Sequence, residues 1–225
     1  MKTNPLKLSL IIMGISGTTA QVVLLRELLV SFLGNELTLG MILANWLILE
    51  AIGSSLVGKS VEKAEKKEEI YVLWQLIFSL TLPFAIYLSR ILKNLLLITP
   101  GEGLGLLPIF YSSFLILLPV SIPHGALFAY GCKIYAQTIR QDASSVGKVY
   151  VLETLGSIIG GLGVTFLLIQ YLNSFEIAFW ISLLNTSISA VLLWPHPGES
   201  KHPARAFLWI LSLSLIHISE PTRPY

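Results

Sequence analysis

The amino-acid sequence predicts an all-α membrane protein built as a bundle of six transmembrane helices. Three observations predict it: the composition, the length of the apolar runs, and the distribution of Lys and Arg. Of the 225 residues, 54% are hydrophobic and 12% charged, with a mean hydropathy of +0.74, against roughly 45–50% apolar and about 25% charged in soluble domains. Apolar runs near or above the ~20 residues that span the hydrocarbon core occur at Leu8 to Leu33, Leu37 to Val57, Ile70 to Ser89, Leu106 to Gly131, Val149 to Leu172 and Phe175 to Trp194. The lipid bilayer is therefore the first expected partner, and no nucleic acid is expected.

The first run is too long for the apolar region of a cleaved signal peptide and carries Gln21, Arg26 and Glu27, so it is expected to stay attached as a helix. Ionisable groups inside a membrane segment are functional candidates by default. Arg26 and Glu27 also have a structural reading, snorkelling to the outer interface and pairing there. Gly14, Gly17 and Gln21 line up on one face of this helix. In the second run, Trp46, Glu50, Gly53 or Ser54 and Val57 or Gly58 form a similar face, with Asn45 beside it. With a rise of ~1.5 Å per residue, Arg26 and Glu50 lie ~14 Å apart along the membrane normal, too far for a direct pair. Glu50 thus has no basic partner visible in the sequence. It reads either as a proton-carrying or cation-binding group, or as a protonated carboxyl bonded to a backbone carbonyl or to Asn45.

Between the second and third runs, Lys59 to Glu69 alternates in sign and reads as a solvated loop. The segment Leu95 to Gly105 resembles a strand and glycine loop that cradles a nucleotide, but a membrane helix follows it and no acidic residue comes before Asp142, so an external loop is expected. Pro119 and Pro123 fall inside the fourth run and should bend or break that helix, freeing carbonyls beside His124. His124 is a candidate for titration or substrate binding, or a hydrogen-bonded structural residue. In the fifth run Glu153, Gly156, Gly160 and Gly163 or Val164 make one stripe, with Gly161 beside it. Small residues at this spacing let a neighbouring backbone approach, so the stripe is expected to face protein. The polar faces of the first, second and fifth helices are expected to meet. The single Cys132 allows no internal disulfide, and no Cys/His cluster has metal-ligand spacing, so metal sites and catalytic residues are not assigned.

Orientation follows from the positive-inside rule. With the amino terminus cytoplasmic, eleven Lys and Arg fall in inside segments and only Arg90 and Lys93 outside, while the Asn35-Glu36 and Asn173-Ser174 turns carry none. The expected location is the inner cell membrane, multi-pass, with both ends of the six-helix unit inside. Residues 1–200 then form the transmembrane domain, and 201–212 (Arg205 to Ser212) read as the start of a seventh helix. Residues 213–225 resemble an in-frame translation of a transposase sequencing adapter and are given no biological role; the natural chain is expected to continue differently after Ser212.

Taken together, Gly17 to Leu37, Trp46 to Ser54, Leu118 to Ala126 and Gly147 to Gly161 resemble the membrane domain of the spermidine synthase-like integral membrane proteins. That resemblance covers about Ile11 to Trp194. It implies a membrane region like half of a major facilitator, joined to a cytoplasmic aminopropyltransferase-like domain that uses decarboxylated S-adenosylmethionine. This chain has one Asp and no alternation of strands and helices, so no cofactor site and no transferase activity of its own are expected. The resemblance implies a unit that anchors, and feeds substrate to, that further domain. The alternative is half of a secondary transporter for a polyamine, another cation or a proton-coupled solute, with Gln21, Glu50, Glu153 and the fourth helix along its path.

Overall fold

The structure is a computed structural model that describes residues 3–61, 64, 66–95, 104–138, 144–193, 207–208, 210–212 and 214. Its helices are α1 (Thr3–Phe32), α2 (Glu36–Val61), α3 (Lys67–Leu95), α4 (Leu106–Thr138), α5 (Ser144–Gly163) and α6 (Ser174–Leu192). A wider π-turn, Val164–Leu168, and a last turn, Ile169–Tyr171, extend α5. No strand occurs among the described residues. Among the described residues, six helices are long and apolar enough to cross a bilayer, and the chain is a multi-pass helical membrane protein. Helices are the expected solution here, because a backbone in hydrocarbon must satisfy its own hydrogen bonds.

The turns are short and capped. Leu33 takes the left-handed conformation (φ 51°) and Gly34 N–H bonds back to Leu29 O at 2.9 Å, closing α1. Asn35 Oδ1 accepts from Thr38 N–H at the start of α2. Asn173 and Glu176 form a reciprocal capping box that starts α6. Of the bend or break expected in α4, the break is not found: the helix runs unbroken through Pro119 and Pro123. Pro123, Gly125 and Ala126 are buried there, and packing of α2 along this stretch holds the helical path that proline disfavours. The described part of 207–214 is helical, with Ser212 Oγ donating to Leu208 O at 2.8 Å. The Lys59 to Glu69 loop is only partly described; most of the glycine loop, Lys201 and Arg205, and 213–225 except Ser214, lie outside the described residues.

Two parallel helix pairs organise the bundle. Helix α1 runs along α5, and α2 along α4; α3 and α6 pack antiparallel behind them. Glycines set both parallel pairs at backbone contact. A Cβ on Gly14 would overlap the Glu153 carbonyl, and one on Gly125 would overlap that of Glu50. Gly156 lies on Ile11 and Gly53 on Ile122 in the same manner. Exchanging α1 with α4, α2 with α5 and α3 with α6 therefore maps the two parallel pairs onto each other, although α1 packs on α3 where α4 makes no comparable contact with α6 among the described residues. Since each triad has three helices, the second enters the bundle from the opposite side, and the two are inverted repeats.

The sequence carries the same duplication. Leu49-Glu50-Ala51-Ile52-Gly53-Ser54 on α2 matches Leu152-Glu153-Thr154-Leu155-Gly156-Ser157 on α5, and Ile11 and Gly14 on α1 match Ile122 and Gly125 on α4. Buried polar side chains tie the rear helices together: Gln75 donates to Asn185 Oδ1 (3.1 Å), Asn185 donates to Ser16 Oγ (2.7 Å), and Ser189 donates to Gln75 Oε1 (3.1 Å). Burying such groups unpaired costs on the order of 2–7 kcal/mol each, so they are found connected.

Candidate functional site

The close approach of α2 and α4 decides what Glu50 meets. With Gly125 against the Glu50 backbone and Gly53 against Ile122, the Glu50 side chain reaches His124 on α4, and its Oε1 contacts the imidazole Nδ1. Glu50 is thus not without a partner, and the partner is neither Asn45 nor a Lys or Arg. On the other side of the ring, Nε2 faces the Met13 carbonyl at 3.3 Å. A carbonyl can only accept, so Nε2 is the donor, and the proton between Nδ1 and Glu50 is shared by an imidazolium–carboxylate or a neutral imidazole–carboxylic acid pair. Gly17 of α1 makes the room for the ring, because a Cβ there would overlap Nε2. Trp46 and Phe78 lie at 6.3 and 5.8 Å between ring centroids and shield the pair.

Glu153 of α5 completes the centre. With Leu47, Glu50, Ser54, His124 and Tyr150 it lines one open cavity of about 250 Å³. Its carboxylate feels the charges of His124 and Glu50 but makes no hydrogen bond among the described residues. Two carboxylates therefore share one imidazole. One imidazole cannot pair with both, so among the described residues at least one of the two carboxyl groups has no cation paired to it, and that position is suited to a proton or a monovalent cation.

The other sequence candidates separate from this centre. Gln21 is half-buried on α1, a turn beyond Gly17, and makes no hydrogen bond among the described residues. Asn45 is buried and donates to Phe110 O (2.9 Å) and Ser113 Oγ (2.8 Å), which ties α2 to α4. Gly156 and Gly160 pack on the α1 backbone, and Gly161 sits 3.5 Å from the Thr18 methyl as a Cβ would measure it. Cys132 is a free, half-buried thiol.

Arg26 and Glu27 belong to a second cluster at one end of the bundle. Glu27 accepts two hydrogen bonds from Arg90 of α3, both 2.9 Å, and Arg90 lies 4.6 Å over the Phe175 ring of α6. Arg26, exposed, lines the same cavity of about 420 Å³ with Ser31, Asn173 and Ser174. This pair is charge-matched and clasps α1 to α3 and α6.

Arg90 and the Gln75–Asn185 network were not singled out by sequence reading, since their partners are distant along the chain. The duplicated Leu-Glu-x-x-Gly-Ser motif was also missed, although comparing the apolar runs with one another would have found it and paired Glu50 with Glu153.

Among the described residues, no group of three His, Cys, Asp or Glu side chains is placed to hold a metal ion. The resemblance assigns its adenosyl cofactor to a further domain, and no residue of this centre is assigned to it. No protein-family model, curated protein or solved structure matches this chain.

Proposed function

We propose that this six-helix unit handles a cationic or proton-coupled solute in the manner of half a secondary transporter, with Glu50, His124 and Glu153 as the groups that engage it. One observation carries this reading: two intramembrane carboxylates, one from each inverted repeat, open into a single cavity with only one imidazole between them. Sites at the interface of inverted repeats, near mid-membrane, are where such transporters bind solute. Glu50 and Glu153 are engagement groups, His124 balances one of them, and the Glu27–Arg90 clasp stabilises one end. The distribution of Lys and Arg favours a cytoplasmic amino terminus in an inner membrane.

A second role is compatible with the first. The resemblance to spermidine synthase-like membrane proteins favours a unit that anchors, and delivers substrate to, a cytoplasmic aminopropyltransferase-like domain. Translating the uninterrupted gene beyond Ser212 tests it: a glycine-rich αβ domain supports the anchor, and further helices alone remove it.

The transport reading is tested in proteoliposomes with an imposed proton gradient, using labelled methylammonium, spermidine and sodium. Gradient-driven accumulation of at least one of them is expected, falling tenfold or more in Glu50→Gln and Glu153→Gln but not in Glu27→Gln. Equal, passive leakage of all three through wild type and variants overturns it.

A further inference from the structure

Glu50 and Glu153 hold equivalent places in the two repeats. Each precedes by three the glycine that meets the opposite repeat, and the backbone of each abuts its counterpart glycine, Gly125 for Glu50 and Gly14 for Glu153. The same equivalence sets Met13 opposite His124 and Gly17 opposite Phe128. The chemistry of the centre is therefore not duplicated: one repeat supplies an imidazole and the other a thioether.

That imidazole sits where the repeats meet, with its Nε2 on the carbonyl of Met13, its own counterpart. The groups facing it are the Met13 carbonyl and Gly17 of α1, Trp46 and Glu50 of α2, Phe78 of α3 and, through its charge, Glu153 of α5. No other ionisable side chain faces it among the described residues. The cavity follows the same asymmetry. Ala51, Ser54, Gly125 and Phe128 line it, whereas their counterparts Thr154, Ser157, Gly14 and Gly17 do not. Leu47 and its counterpart Tyr150, and both carboxylates, are shared.

We infer, on the reading of this centre as a solute-handling site, that His124 serves the two carboxylates in turn. In this state it holds Glu50 and leaves Glu153 to take one monovalent cation or proton. Transfer of the imidazole to Glu153 frees Glu50 and opens the mirror-image cavity beside Gly14, Thr154 and Ser157. The two arrangements contain the same groups and the same net charge. A bistable element needs two states of similar energy, which the exchange of one imidazole–carboxylate pairing for another of the same kind supplies.

Nitrogen NMR of the imidazole, in the full chain in lipid nanodiscs and assigned by loss of the signal in His124→Asn, tests the exchange. Glu50→Gln alone is expected to retain a carboxylate-paired ring, now on Glu153; Glu153→Gln retains it on Glu50; only the double variant loses it. Loss of pairing in Glu50→Gln alone overturns the inference. A second measurement leaves all three groups intact. In a Cys132→Ala background, Ser54→Cys and Ser157→Cys are both expected to react with a water-soluble thiosulfonate, from opposite sides of sealed vesicles. Labelling at one position only, or at neither, overturns the exchange. Gradient-driven uptake that survives such a result leaves the transport reading standing without it, whereas absent uptake removes that reading itself.

Discussion

The two repeats agree in packing and differ in chemistry. Gly14 and Gly125 seat the same backbone segment of the opposite repeat, and Gly53 and Gly156 do so in reverse. These contacts admit no side chain, so they are constrained equally in both halves. At the positions that fill the centre, Met13 stands against His124 and Gly17 against Phe128. An inverted duplication thus supplies a symmetric frame, and function enters where one copy departs from the other.

The largest test of that comparison is at the glycines. Gly14→Leu and Gly125→Leu each force apart two backbones that have no flexible end to yield, and overpacking of this kind costs about 1–3 kcal/mol or more. Thermal unfolding in detergent should fall by similar amounts in both; tolerance in one only would break the equivalence of the packing. The next effect lies at the unequal positions. His124→Leu strips Glu50 of its partner, and because that carboxylate is 25% exposed, the loss should be a few kcal/mol at most, below the full ~3–5 kcal/mol of a deeply buried pair. Met13→Leu, its counterpart, should cost under about 1.5 kcal/mol. Adding Glu50→Gln to His124→Leu should recover much of the stability, by removing the unpartnered charge.

Smaller effects sharpen the same contrast. Asn45→Ala removes two hydrogen bonds into α4 and should cost about 1–2 kcal/mol, whereas Lys148→Ala, at the exposed counterpart position on α5, should be close to neutral. The smallest change is expected at the clasp. With Arg90 45% exposed, Glu27→Gln should cost about 0.2–1 kcal/mol, diminish further at high salt, and leave solute uptake unchanged. Uptake that collapses in Glu27→Gln would move the functional centre to the end of the bundle.

Much of this was legible before any tertiary structure. Apolar length is a property of each segment alone, so six helices could be read from six runs. The Glu153, Gly156, Gly160 stripe was legible as a protein-facing surface, because only small side chains allow backbones to touch. The effect of Pro119 and Pro123 was not, since whether a proline breaks a helix depends on what packs beside it.

The pairings were decided only in three dimensions. Glu50 and His124 are 74 residues apart, and Glu27 and Arg90 are 63 apart. Depth counted along single helices excluded an Arg26–Glu50 pair but could not supply the partner that Glu50 does have. By itself the sequence determined that the chain is helical, that it crosses a membrane about six times, and which stripes cannot face lipid. The tertiary structure alone decided which stripe meets which, because the register between helices is set by glycine contacts formed jointly by two segments and by neither one alone.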